Sequence, residues 1–200
     1  MLEQWILPVY GISGDICGQS FIVGPYIITS AHVLEEDKEV FVDIPNHSKN
    51  AQRIFFKKEN AFALANNSLR NDNIEDCAVF QLPKETDSPL RFTDVSYADE
   101  PLYCYYVDNV QTATNFTGVF SQLNSKMLKY STAKFDRKLN DKLFVGNVDP
   151  MLRKGHSGCP IVTENYEVIG MLVGGFGETS CNSICGFQSA TFIKNLINHE

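Results

Sequence analysis

The sequence predicts an all-β fold, arranged as two groups of about six strands with a linker between them and a short helix at the end. Three observations carry that reading. Short runs rich in Val, Ile, Phe and Tyr recur along the chain, separated by turn residues, and branched and aromatic side chains suit the pleated surface of a sheet. A polar, proline-flanked stretch, Pro83-Lys84-Glu85-Thr86-Asp87-Ser88-Pro89, divides those runs into two sets. The tail places Phe192, Leu196 and Ile197 at helical spacing, with Thr191 as the expected N-cap.

Strands of the first set are expected at residues 5–11, 19–23, 26–29, 39–44, 53–57 and 77–82. Gly24-Pro25 between the second and third is a tight-turn signal. Strands of the second set are expected near residues 102–107, 111–120, 127–132, 143–145, 160–162, 168–174 and 186–190. The expected units are an N-terminal lobe over 1–82, a linker over 83–100, a second lobe over 101–190 and a helix over 191–200. There is no internal repeat and no low-complexity tract.

At 200 residues and 44% apolar, the chain can bury a sizeable core in one domain or in two small lobes. A net charge of -7 with scattered basic residues argues against a nucleic-acid partner, since phosphate contacts need clustered Lys and Arg. No run approaches the roughly 18 apolar residues of a membrane helix, so no membrane partner is expected. Residues Met1 to Pro8 lack the basic start, apolar stretch and cleavage site of a secretory signal, and a cytoplasmic location is expected.

The six cysteines are Cys17, Cys77, Cys104, Cys159, Cys181 and Cys185. Without an export signal they are expected reduced and mostly buried. Cys181 and Cys185 form the one close pair, and two thiols are too few ligands for structural zinc, so no metal or other cofactor is expected. The sequons at Asn46, Asn66 and Asn115 matter only in a secreted protein.

Three segments carry chemistry: Thr29-Ser30-Ala31-His32, Asp76-Cys77-Ala78-Val79-Phe80 and Gly155-His156-Ser157-Gly158-Cys159-Pro160. Each has an ordinary reading as a loop or strand end. Their order and flanks together point to nucleophilic catalysis. A serine hydroxyl is a poor nucleophile until a neighbouring base takes its proton. Histidine titrates near neutrality, and a buried carboxylate fixes its tautomer and stabilises the imidazolium. Glycines beside the serine free backbone amides to face a developing oxyanion. Asp72 and Glu75 are nearby acids, but neither opens the Ala-Val-Phe strand, so Asp76 is preferred.

These segments resemble those of the trypsin/chymotrypsin-like serine peptidases, and more the bacterial high-temperature-requirement-like branch than the digestive enzymes. Thr-Ser-Ala-His matches the family's Thr-Ala-Ala-His. Asp-Cys-Ala-Val-Phe matches Asp-Ile-Ala-Val-Leu, and Gly-His-Ser-Gly-Cys-Pro matches Gly-x-Ser-Gly-Gly-Pro. The resemblance spans nearly the whole chain. It implies two six-stranded antiparallel β-barrels, a catalytic triad of His32, Asp76 and Ser157, and an oxyanion hole formed by the Gly155 and Ser157 amides. It implies a serine endopeptidase acting on a protein or peptide substrate through an acyl-enzyme. The alternative is a catalytically silent binding or scaffold protein on the same fold. With no room for an appended peptide-binding domain, targeting would come from the pocket, the loops, or an activating or targeting partner.

The departures from the family are informative. The bridge that digestive members form across the histidine loop would join Cys17 to the residue after His32, which is Val33. Members activated by cleavage carry Asp before the serine, where this chain has His156, so activity without N-terminal processing is expected. His156 reads as a solvated loop residue or a pH-sensitive neighbour of the site. Cys159 reads as a packing residue or an additional nucleophile. Residues 169–173 resemble the strand that pairs with substrate backbone, which makes Val173 a substrate-binding candidate, and Gly174-Gly175-Phe176-Gly177 is expected at the rim of the specificity pocket. Met151 falls at the expected pocket floor, which implies preference for small or medium apolar side chains, although Asp149 is near enough in sequence to compete.

Overall fold

Branched and aromatic residues in alternation build the first lobe from β1 (Ile6–Gly11), β2 (Ile16–Val23), β3 (Tyr26–Thr29), β4 (Val40–Ile44), β5 (Gln52–Phe56), β6 (Ala63–Asn67) and β7 (Glu75–Gln81). In this computed structural model the described residues are 2–34, 38–45, 51–67, 74–93, 100–116, 119–175 and 183–199, with backbone alone over 110–124. The strands form a seven-stranded sheet in the order β5-β4-β1-β2-β3-β7-β6. Among the described residues no pairing joins β5 to β6, so this lobe is a half-barrel, where a closed six-stranded barrel was expected. The added strand is β6. Its Ala-Leu-Ala-Asn-Asn sequence has low strand propensity, and it is held along its own whole length by β7, with Ala63 and Ala65 turned inward.

The second lobe contains β8 (Arg91–Phe92), β9 (Leu102–Phe116), β10 (Val119–Lys138), β11 (Leu143–Asp149), β12 (Pro160–Thr163), β13 (Glu167–Gly175) and β14 (Ile184–Ser189). The order β12-β9-β10-β11-β14-β13 closes through a β12–β13 pairing, giving a six-stranded barrel with β8 added outside β13. The fold is therefore chymotrypsin-like: a half-barrel, a closed barrel and the C-terminal helix α1 (Ala190–Asn198).

Three further differences from the expected elements stand out. β9 and β10 form one long hairpin in place of three shorter strands. Asp108-Asn109 and Ser125-Lys126 resemble turn signals, yet they pair across the ladder. Within the expected linker, Arg91 and Phe92 pair in parallel with Glu167 and Val168. The same segment is fastened to the first lobe by Thr86 Oγ1 donating to Gly24 O at 2.6 Å and Ser88 Oγ donating to Ile22 O at 2.6 Å. The helix N-cap is Ser189, whose Oγ accepts from the Phe192 N–H, where Thr191 was expected.

Three hydrophobic clusters result among the described residues. Leu7, Val9, Ile22, Ile27 and Phe80 belong to the first lobe, and Leu102, Phe144, Ile161, Leu172 and Phe187 fill the barrel. The third cluster joins the lobes, with Ile6, Phe21 and Val79 packed against Val162, Met171 and helix residues Ile193 and Ile197. Burial of these side chains is the main force holding the two lobes in one relative position.

Candidate active site

His32 lies in a single 3-10 turn, Ala31–Leu34, directly after β3. Ala31, Val33 and Leu34 are buried and turn the imidazole outward, where its side chain is 47% exposed. Asp76 sits inside β7 with its side chain 10% exposed. Its carboxylate accepts from the His32 N–H at 2.7 Å through Oδ1, and from Ser30 Oγ at 2.8 Å through Oδ2. His32 Nδ1 is 2.5 Å from the same Oδ2. A nitrogen that close to a carboxylate oxygen must carry the proton, so Nε2 holds the lone pair that a base needs. A buried carboxylate left unpaired would cost several kcal/mol, and these two donors together with the imidazole offset that cost.

Asp76 is also fixed from the other lobe. Its N–H donates to Gln188 Oε1 at 2.8 Å, and Gln188 Nε2 donates to Ile74 O at 3.2 Å and Lys142 O at 2.9 Å. Glu75 forms an ion pair with Lys142 of the second lobe. Asp72 lies outside the described residues.

Ser157 stands between two glycines in the left-handed region, Gly155 at φ 93° and Gly158 at φ 92°. The His156 N–H donates to Arg153 O at 3.1 Å, which with positive φ at Gly155 makes Arg153–His156 a type II turn. Gly158 is required by space as well as by φ, since a Cβ there would meet Gln19 O at 2.2 Å. Ser157 O accepts from the Gln19 N–H at 2.8 Å, and the Gly158 N–H donates to Leu172 O at 2.9 Å. Among the described residues, neither the Gly155 N–H nor the Ser157 N–H is bonded to a protein acceptor. Ser157 Oγ lies 3.4 Å from Val173 O.

His32, Gly155 and Ser157 line one cleft of about 740 Å³ between the lobes, with Ile12, Ile16, Val33 and Val40 as apolar walls and Lys38, Glu39 and Lys154 at its edges. A cavity of about 820 Å³ elsewhere on the barrel holds neither His nor Cys. Of the residues expected at a specificity pocket, Val173 touches Ser157, while Gly174 and Gly175 pair with Gly186 and Cys185 in the barrel wall. Met151 is 43% exposed and does not line the cleft; its neighbour Leu152 is buried. Phe176 and Gly177 lie outside the described residues.

Cys159 is fully buried in the barrel core, as a packing residue would be. Cys17, Cys77, Cys104, Cys159 and Cys185 are thiols outside any disulfide, and Cys181 lies outside the described residues. Burial pushes the Cys77 and Cys104 thiols well up and the Cys185 thiol to about 11. Among the described residues no His, Cys, Asp and Glu side chains converge as a metal would require. Among the described residues no helix is long and apolar enough to cross a membrane.

His156 departs from the solvated position expected of it. It is 6% exposed, and its ring packs on Tyr106. Sequence reasoning also missed Ser30, Gln19, Gln188 and Asp108. Each is a polar residue whose partner is distant in the chain or whose type is common in loops, so no local signal marked them.

The Trypsin family model matches residues 2–197. Human heparin binding protein has a similar structure, with a TM-score of 0.61 at 13% identity over 98% of this chain and 91% of that one. The Rv3671c protease of M. tuberculosis H37Rv, solved in an inactive form, superposes with a TM-score of 0.61 at 14% identity over 99% of this chain and 89% of that one. At such identities the likeness carries the fold alone. Among curated proteins no sequence match is found.

Proposed function

This chain belongs to the trypsin family, and from that premise we propose that it is a serine endopeptidase with His32, Asp76 and Ser157 as its catalytic triad. The observation that carries the proposal is the 2.5 Å contact of His32 Nδ1 with Asp76, in a cleft that His32 shares with Ser157. In the proposed reaction Ser157 Oγ attacks the scissile carbonyl while His32 Nε2 takes its proton. Asp76 holds the imidazolium. The Gly155 and Ser157 N–H groups receive the oxyanion, each contributing a factor of about 10²–10³ in rate. His32 then returns the proton to the leaving amine, and an acyl-enzyme remains on Ser157. Water, activated by His32 in turn, releases the acid.

The apolar walls of the cleft, Ile12, Ile16, Val33 and Val40, support cleavage beside small or medium apolar side chains. A peptide-library profile dominated by Arg and Lys would overturn that preference. The motif versions around the three residues favour the high-temperature-requirement-like branch of the family. Buried thiols outside any disulfide support a reducing, cytoplasmic setting.

The deciding experiment is intact mass after incubation with a fluorophosphonate probe, for the unprocessed chain and for Ser157→Ala. A single adduct on the first and none on the second is expected. No adduct on folded wild-type protein would favour the silent binding reading or a missing activator. An adduct only after N-terminal cleavage would refute activity without processing.

A further inference from the structure

We propose that His156 is a positioning residue for the turn that bears the Gly155 and Ser157 amides, fastening that turn to residues Tyr106 and Asp108 of β9. The inference rests on reading those amides as the oxyanion donors. Its basis is the bonding of a side chain that the triad does not use.

Both ring nitrogens of His156 are engaged. Nδ1 is 3.0 Å from the Arg153 N–H, and Nε2 is 2.8 Å from Asp108 Oδ1. A backbone N–H can only donate, so Nδ1 must present its lone pair. The ring proton is therefore on Nε2, where it donates to Asp108. This is the opposite tautomer to that of His32, whose proton sits on Nδ1. The ring is further fixed by stacking on Tyr106, with centroids 4.0 Å apart and planes 32° from parallel.

The bond from Arg153 matters because of its place in the turn. His156 N–H closes the turn onto Arg153 O, and the His156 side chain holds the N–H of that same Arg153. At the other end Gln19 Nε2 donates to Gly155 O at 3.1 Å. Gln19 also pairs with both backbone groups of Val107, at 3.0 Å and 2.9 Å. Val107 and Asp108 are adjacent on β9, so one short stretch of strand anchors both ends of the turn. The Lys154–Gly155 peptide lies between these anchor points. Its orientation sets where the Gly155 N–H points, because turning it over converts a type II turn to type I.

The charged groups facing His156 are Asp108 and, beyond it, Lys129 of β10, whose Nζ lies 3.6 Å from Asp108 Oδ2. Arg153 and Lys154 belong to the turn itself, and Tyr106 contributes its ring face. A second proton on the ring would set an Nδ1–H against the Arg153 N–H, so the arrangement requires the neutral ring.

The test separates the two bonds. Asn at 156 preserves an acceptor near the Nδ1 position, and Gln preserves a donor near the Nε2 position. With a fluorophosphonate probe, His156→Ala is expected to lower the maximal labelling rate about 100-fold, with half-saturation within twofold of wild type. His156→Asn and His156→Gln are each expected to recover about tenfold of that loss. A folded His156→Ala protein labelled within threefold of wild type would overturn the proposal, as would a loss confined to half-saturation. If the Ala variant does not fold, the Asn and Gln variants give the same reading. Independently, ¹⁵N–¹H correlation of the wild-type imidazoles at neutral pH is expected to show His156 with its proton on Nε2 alone. An Nδ1–H tautomer or an imidazolium would refute it. That readout needs no activity, so wild-type protein that fails to label would count against the proposed function and leave the tautomer to decide the bonding.

Discussion

The two lobes hold their shares of the cleft by different means. The half-barrel presents His32 and Asp76 through side-chain bonds, with Ser30 Oγ and the His32 N–H both donating to the Asp76 carboxylate. The closed barrel presents Ser157 through its backbone, with two glycines at positive φ and backbone hydrogen bonds running to Gln19 and Leu172. Each lobe also sends a buried glutamine to the other's half: Gln19 reaches Gly155, and Gln188 reaches Asp76. The contrast teaches where substitutions will be graded and where they will be abrupt. A side-chain bond can be weakened singly, whereas a backbone conformation that no other residue adopts is lost as a whole.

Gly158→Ala strikes the backbone-held half at its tightest point. The new Cβ would stand 2.2 Å from Gln19 O and 2.9 Å from Thr29 Oγ1. Fluorophosphonate labelling should fall by about 10³ or more, with a lower melting temperature. Labelling at the wild-type rate would break the contrast.

Gly155→Ala sharpens it, because the nearest atom to the new Cβ is Ile16 O at 3.7 Å and only φ is strained. A strain of about 1–3 kcal/mol should drive the turn out of its type II form. The expected result is folded protein labelled about 10²-fold more slowly. Unchanged labelling would separate the turn's conformation from its function.

Gln188→Ala leaves the Asp76 N–H and two carbonyls without their partner. Urea unfolding should show a loss of about 1–3 kcal/mol. A change below the error of the measurement would mean that the Gln188 bonds add nothing to the joining of the lobes.

Ser30→Ala removes one donor from Asp76, and labelling should slow by about tenfold, with Ser30→Thr restoring it. A loss as steep as that of Gly158→Ala would erase the distinction between the halves.

The thiols give the smallest effect on activity. Exposed Cys17 should react first with a thiol reagent near neutral pH, while burial keeps Cys77, Cys104 and Cys185 protonated. Because the folded Cys185 thiol titrates near 11, against an ordinary 9.0, the unfolded chain loses that proton first. The thiol's contribution is intact below 9.0 and falls as pH rises from there to about 11. Stability rising with pH across that window would contradict the buried assignment.

Much of the site was readable because its requirements are local. Gly155 and Gly158 meet a demand for positive φ within four residues, and His32 follows β3 after two residues. The supports were not readable. Gln19 and Gln188 occupy strand positions where a polar residue ordinarily faces solvent, and their partners lie 88 and 112 residues away. His156 suggested a solvated loop because nothing nearby in sequence announces Asp108, 48 residues earlier. Strand β6 was missed for a related reason, since Ala63 to Asn67 have little strand preference and are held by pairing with β7.

The sequence by itself determined the all-β class, the terminal helix, and the order and local setting of His32, Asp76 and Ser157. These depend on residue type and short-range spacing, which the chain carries before it folds. Tertiary structure alone decided that the first lobe stays open and the second closes, and that one β9 stretch anchors the serine turn. It also decided that His32 and His156 hold their protons on opposite nitrogens. Those outcomes depend on which donors and acceptors meet across distant strands, and a hydrogen-bond partner exists only once the sheets that carry it have assembled.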